Sequence, residues 1–164
     1  MISKNKKIRN ATTCSNGTIT FKSKLEKTLF NVLLEKGFKP QYEPKTIILW
    51  EGFTPVTPFY DKESDSQWKK RIEEDDSIKN RLLTLKNSKI VGIRYTPDIY
   101  LKYNNLDIWI EFKGNENEVF YIKKKLFRAY LDKKFIETGQ KSIFFEIYTK
   151  RQLLQAIDII KNYE

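Results

Sequence analysis

Residues 90 to 113 constrain the fold more than any other stretch, because three runs there alternate or stay apolar: Ile90 to Tyr95, Asp98 to Tyr103 and Leu106 to Lys113. Short runs of this kind read as strands. Asn104-Asn105, between the last two, tolerates the positive φ angles of a tight turn, so a hairpin is expected there. A hairpin sets the start of one strand beside the end of the next, which brings Asp98 and Glu111 to the same end of neighbouring strands. Alternation along the second strand puts Glu111 and Lys113 on one face, with Asp107 sharing it by parity. Ile108, Ile110 and Phe112 then fall on the other, apolar face.

The flanking segments complete a pattern. Leu25, Leu29, Val32 and Leu33 fall at helical spacing from Ser23 to Lys36, with Gly37 and Pro40 as the stop. Residues 41 to 50 end in a β-branched run that predicts a strand, with Pro44 favouring an edge or the strand's start. Glu51 to Phe59 is expected to be a loop, and residues 66 to 86 a helix or a broken pair of helices carrying Trp68, Ile72, Ile78, Leu82 and Leu85. Residues 118 to 137 predict a long helix with Val119, Ile122, Leu126 and Tyr130 on one side and Gly139 at its end. A strand over 142 to 149 and a closing helix over 150 to 162 follow. This order predicts an α/β fold, a mixed β-sheet flanked by helices. The expected organisation is a basic arm over residues 1 to 20 and one domain over 21 to 164, interrupted by a helical insertion at about 51 to 89.

Composition narrows the chemistry. There is no histidine, which removes Ser-His-Asp triads, histidine-based zinc sites and every histidine general base. The one cysteine, Cys14, excludes an internal disulfide and reads as incidental. Hydrolysis by such a chain must use carboxylates, lysine and an oxygen-bound metal. The 31 Lys and Arg against 21 Asp and Glu give a formal charge of +10, which suits a polyanionic partner, although a basic surface also serves solubility. No apolar run approaches the roughly 18 residues of a membrane span and the start is polar, so a cytoplasmic protein with no membrane partner is expected.

Two carboxylates held close repel each other unless a cation lies between them, and a nearby lysine can hold or deprotonate an attacking water. Asp98, Glu111 and Lys113 supply that set. Acid-x-Lys occurs three times, at Glu43-Lys45, Glu111-Lys113 and Asp132-Lys134. Only the second lies in a clear strand, follows a hairpin that opens on the chain's one Pro-Asp pair, and precedes a basic helix. The plain alternative is an edge strand guarded by charges against aggregation. Asp107 is a lower-ranked rival ligand.

Pro97-Asp98 followed by Glu111-Phe112-Lys113 resembles the PD-(D/E)XK nuclease signature. Arg9-Asn-Ala, Gly17 and Phe21-Lys-Ser-Lys-Leu-Glu26 resemble small phage endonucleases of the endonuclease I and Holliday-junction resolvase type, and the matching stretches are about residues 8 to 44 and 92 to 131. The resemblance implies a restriction-endonuclease-like fold. It implies that Asp98 and Glu111 bind Mg²⁺ or Mn²⁺ with the Phe112 carbonyl, that Lys113 positions the water, and that Glu26 completes the cluster. A homodimer acting on branched DNA during phage recombination, in the host cytoplasm, belongs to the same implication.

Other readings compete. Read from the residues alone, Ser23-Lys-Leu-Glu26 is a capping box, with Glu43 in reserve for the metal site. Lys124 and Arg128, four apart, with Lys125 beside them, suit the phosphate next to the cleaved one, or simply a solvated helix face. Trp109, Tyr100 and Phe127 read as packing rather than base-stacking platforms, and the acidic run Glu73 to Asp76 as solvent-facing. At the level of function, the near alternative is an unpatterned or site-specific DNA nuclease with the same core, and the further ones are a non-catalytic basic nucleic-acid-binding module and a protein-interaction factor docking through the inserted segment.

Overall fold

The computed structural model describes residues 13–15, 17–114 and 118–163. The basic cluster Lys4, Lys6, Lys7 and Arg9 lies outside them. The elements run β1 (Cys14–Ser15), β2 (Thr20–Phe21), α1 (Lys24–Glu35), β3 (Gln41–Tyr42), β4 (Ile47–Trp50), β5 (Tyr60–Lys62), α2 (Asp65–Glu74), β6 (Leu83–Leu85), β7 (Ile93–Tyr95), β8 (Ile99–Tyr103), β9 (Leu106–Phe112), α3 (Glu118–Thr138), β10 (Ser142–Ile147) and α4 (Lys150–Lys161). The fold is mixed α/β, as its element order predicts. By compactness it divides into two units, one of the described residues up to Leu49 and from Arg94 onward, the other Trp50–Ile93.

The larger unit is organised around a four-stranded mixed sheet in the order β10-β9-β8-β3. β8 and β9 form the expected antiparallel hairpin, with Asn104 at φ 53° in its turn. β9 then pairs in parallel with β10, the return being made by α3. Every residue of β9 is buried, because it is central in the sheet and both of its faces are covered. Ile108, Ile110 and Phe112 face a cluster with Leu29 and Leu33 of α1 and Leu153 and Ile157 of α4. Trp109 faces a second cluster with Phe120, Phe127 and Leu131 of α3. The alternation read from the sequence is therefore real, and the guarded edge strand is excluded by the strand's position.

Several expectations need correction. The strand expected over 41 to 50 is two strands in different sheets, since Glu43 takes φ 43° and Pro44 follows, which breaks the extended run. The lead-in is not wholly irregular: β1 pairs with β2, and Cys14, read as incidental, packs against the core. On α3, Val119 and Ile122 are exposed, and the buried stripe is Phe120, Phe127 and Leu131. The long aromatic side chains win that face because they fill the gap above Trp109, where Phe127 sits edge-on to both Trp109 and Phe144.

The smaller unit is not purely helical. After α2 the expected second helix is β6, paired antiparallel with β5. The unit buries no hydrophobic side chain; its one buried residue is Glu63, which is 2% exposed, is bonded by Arg71 and accepts the Leu82 amide at 3.0 Å. Gly52 and Gly92 cross so closely that a Cβ on Gly52 would lie 2.5 Å from the Ile90 carbonyl oxygen and one on Gly92 2.6 Å from that of Trp50. Only glycine fits either position.

Phe127→Ala should lower stability by about 3–5 kcal/mol in urea denaturation, the usual cost of an aromatic-sized core cavity. Ile122→Ala on the same helix should change it by no more than about 0.5 kcal/mol. Equal effects would contradict the assignment of the buried face.

Candidate active site

The antiparallel register pairs Ile99 with Ile110, so the next position outward sets Asp98 beside Glu111. The parallel register pairs Glu111 directly with Glu146 on β10. On the other flank Tyr42 pairs with Ile99, and the Glu43 amide donates to the Asp98 carbonyl at 2.8 Å. One end of the sheet thus carries an acid on, or just past, each of its four strands: Glu43, Asp98, Glu111 and Glu146. Alternation turns the last three toward the α3 face, since Tyr100, Trp109 and Phe144, two residues away from each, belong to the α3 cluster.

Like charges so arranged need counterions, and lysines supply most of them. Lys22 pairs with Glu43, Lys113 with Glu111 at 2.5 Å and Lys124 with Glu146 at 2.9 Å. Asp98 alone of the four has no cation within ion-pair distance among the described residues; its Oδ2 accepts the Phe112 amide at 2.7 Å. Burial and the charge of Glu111 push its carboxyl up to about 8. The second oxygen of Glu111 accepts from the Tyr95 hydroxyl at 2.6 Å, and burial and that carboxylate hold the phenol far above its ordinary range. Lys113 is fixed from behind by the Phe120 ring, 3.5 Å from its ammonium.

Glu26 reaches the same end from the N-terminus of α1, close enough for its charge to raise Asp98 further. Its carboxylate is already engaged: it accepts from the Tyr42 hydroxyl at 2.6 Å, the Ser23 hydroxyl at 2.8 Å and the Lys22 amide at 3.1 Å. The Ser23 hydroxyl in turn caps α1 by accepting the Glu26 amide at 3.2 Å. Half of the expected capping box is present, and the glutamate bonds the amide one residue earlier than that motif requires. For Lys22, burial opposes the charge, but Glu43, Asp98 and Glu26 outweigh it and hold the ammonium above its ordinary range.

The structure brings Asp98, Glu111 and Lys113 together and leaves Asp107 elsewhere. Asp107 is bonded by Tyr100 at 2.9 Å and Lys134 at 2.7 Å, so Lys134 serves it and not Asp132. Lys45 lies over the Trp109 ring. Of the three acid-x-Lys tripeptides, only the second pairs within itself. Trp109 and Phe127 are core, as expected. Lys125 and Arg128 are exposed and make no ion pair with a described residue, whereas Lys124 is partly buried against Glu146. Glu146, Tyr95 and Lys22 were missed. For Glu146 the signal existed, a lone acid inside the apolar run Ile143-Phe-Phe-Glu-Ile-Tyr.

Among the described residues no three acids or thiols gather into a ready metal-binding group. What fits a hard divalent cation is the pair Asp98 and Glu111, set side by side on neighbouring strands: a carboxyl kept protonated near neutral pH by burial and by its neighbour's charge is one whose ionised form a cation would restore.

The sign of the pH effect follows. Asp98 is raised from its ordinary 3.8 to about 8, so folding takes up a proton. The resulting stability is fully present below about 3.8 and is lost as pH rises through about 8. In EDTA the melting temperature should therefore fall across that interval, and Asp98→Asn should flatten the fall, gaining on the wild type as pH rises. An unchanged slope in the variant would show that Asp98 is not the group responsible.

Compared with protein-family models, curated proteins and solved structures, the chain has no significant match to any of them, so the site stands on its own geometry.

Proposed function

We propose that this protein is a metal-dependent endonuclease that hydrolyses DNA phosphodiesters, with Asp98, Glu111 and Lys113 as its reacting centre. One observation carries the reading: an ammonium 2.5 Å from a carboxylate that flanks a second, cation-deficient carboxyl on the neighbouring strand. The PD-(D/E)XK resemblance adds to it. So does the topology, a helix before a hairpin and a crossover helix into a parallel strand, which agrees in kind with the restriction-endonuclease-like arrangement that the resemblance implies.

In this reading Asp98 and Glu111 would hold Mg²⁺ or Mn²⁺, with the Phe112 carbonyl and Glu26 as the further ligands that the resemblance implies. Such an ion, when bound, supplies Lewis acidity at the phosphate and a more acidic water. Lys113, braced on Phe120, would orient the attacking water as an ammonium hydrogen-bond donor. Tyr95 holds the Glu111 carboxylate in place through its 2.6 Å hydrogen bond, and would so orient it as a ligand. The exposed Lys125 and Arg128 and the net +10 charge draw in the phosphate backbone, and Lys124 lies nearer the reacting centre. Branched DNA as the preferred substrate, a homodimer as the acting form, and the cytoplasm, a phage host's included, as the place of action rest on the resemblance. No helix among the described residues is long and apolar enough to cross a membrane.

The purified protein should cut a four-way DNA junction or a matched linear duplex in Mg²⁺ or Mn²⁺ and neither in EDTA. Lys113→Ala should slow cutting by roughly 10²–10⁴-fold, the span of a side chain positioned on the water in a proton-transfer step. Faster cutting of the junction favours the branched-DNA form of the proposal. Salt-sensitive binding with no cleavage under any metal would replace it with the non-catalytic binding module.

A further inference from the structure

Glu146 is the register partner of Glu111 on the parallel neighbouring strand, so their side chains leave the sheet side by side on the α3 face. It is mostly buried, with 18% of its side chain exposed, and both of its oxygens lie near the Lys124 ammonium, at 2.9 and 3.1 Å. Its charge also reaches the Tyr95 phenol that bonds Glu111. Lys124 in turn stands over the ring of Tyr121 at 5.0 Å and that of Phe120 at 5.7 Å. Phe120 is the same ring that braces Lys113, so one aromatic side chain carries both lysines. Lys124 nonetheless keeps 25% of its side chain exposed, which makes it a cation that an incoming anion can reach.

We infer that Lys124 is a removable counterion and Glu146 a positioning residue, and that together they couple phosphate binding to divalent-cation binding at the neighbouring Asp98 and Glu111. This rests on the proposed function. With no nucleic acid bound, Lys124 neutralises Glu146 and the cation meets two carboxylates. When a backbone phosphate takes the ammonium, Glu146 is left as an uncompensated negative charge next to Glu111, and the cation is held more tightly. By linkage, the cation tightens phosphate binding by the same factor. Glu146 thus acts through Lys124 and through the field at Glu111, without touching the reacting phosphate.

The inference is tested without DNA and without turnover, by isothermal titration of Mn²⁺ into wild type, Lys124→Met, Glu146→Gln and the double variant, each first shown folded by circular dichroism. Lys124→Met removes the counterion and should tighten Mn²⁺ binding by at least about fivefold, the lower end of ordinary coupling factors. The double variant should return to the wild-type value, which a merely structural role for either residue would not produce. Wild type that binds Mn²⁺ while Lys124→Met binds it no tighter overturns the coupling and leaves the metal site standing. A gain that persists in the double variant overturns the role of Glu146. Failure of every form to bind Mn²⁺ overturns both the coupling and the endonuclease reading beneath it.

Discussion

The gathering of Glu43, Asp98, Glu111 and Glu146 at one end of the sheet is the constraint around which the surrounding residues are arranged. Strand pairing brings the acids together by main-chain register, which the side chains cannot escape without breaking the ladder. Each then needs an opposite charge or a proton. Three have lysines, and Asp98, lacking one, is held as an acid up to about 8. A buried carboxyl driven to keep its proton by burial and a neighbouring carboxylate is a candidate for function with a stated physical reason.

The fold supplies the rigidity that makes such proximity durable. β9 is central, covered on one face by α1 and α4 and on the other by α3, and it carries Glu111 at its end and Lys113 just beyond. Phe120 on α3 serves two purposes at once: it belongs to the cluster around Trp109, and its ring braces the Lys113 ammonium. The packing that stabilises the sheet and the placement of the charged groups are therefore the same set of contacts. Glu26 shows the opposite condition, a carboxylate satisfied by three hydrogen bonds at the start of α1.

How much of this was legible varies with its physical origin. Local rules sufficed where local chemistry decides: the Asn104-Asn105 turn, the Ser23 cap, the Gly37 and Gly139 helix ends at positive φ, and the alternation that put Glu111 and Lys113 together. They failed where a tertiary partner decides. Val119 and Ile122 have the right spacing for a buried stripe on α3, but the volume above Trp109 calls for Phe120 and Phe127. Leu85 fits a helix by period, yet pairs in a strand with Tyr60, more than twenty positions earlier. Glu146 meets Glu111 only through a parallel pairing, whose register no short-range pattern reveals.

The central claim, that the pair Asp98 and Glu111 is built to receive a divalent cation, is tested most directly by anomalous diffraction from crystals soaked in Mn²⁺. The account predicts one strong peak between the carboxylates of Asp98 and Glu111, with the Lys113 ammonium displaced from Glu111. Crystals in which that position stays empty, with Lys113 still bonded to Glu111 at saturating Mn²⁺, would contradict it.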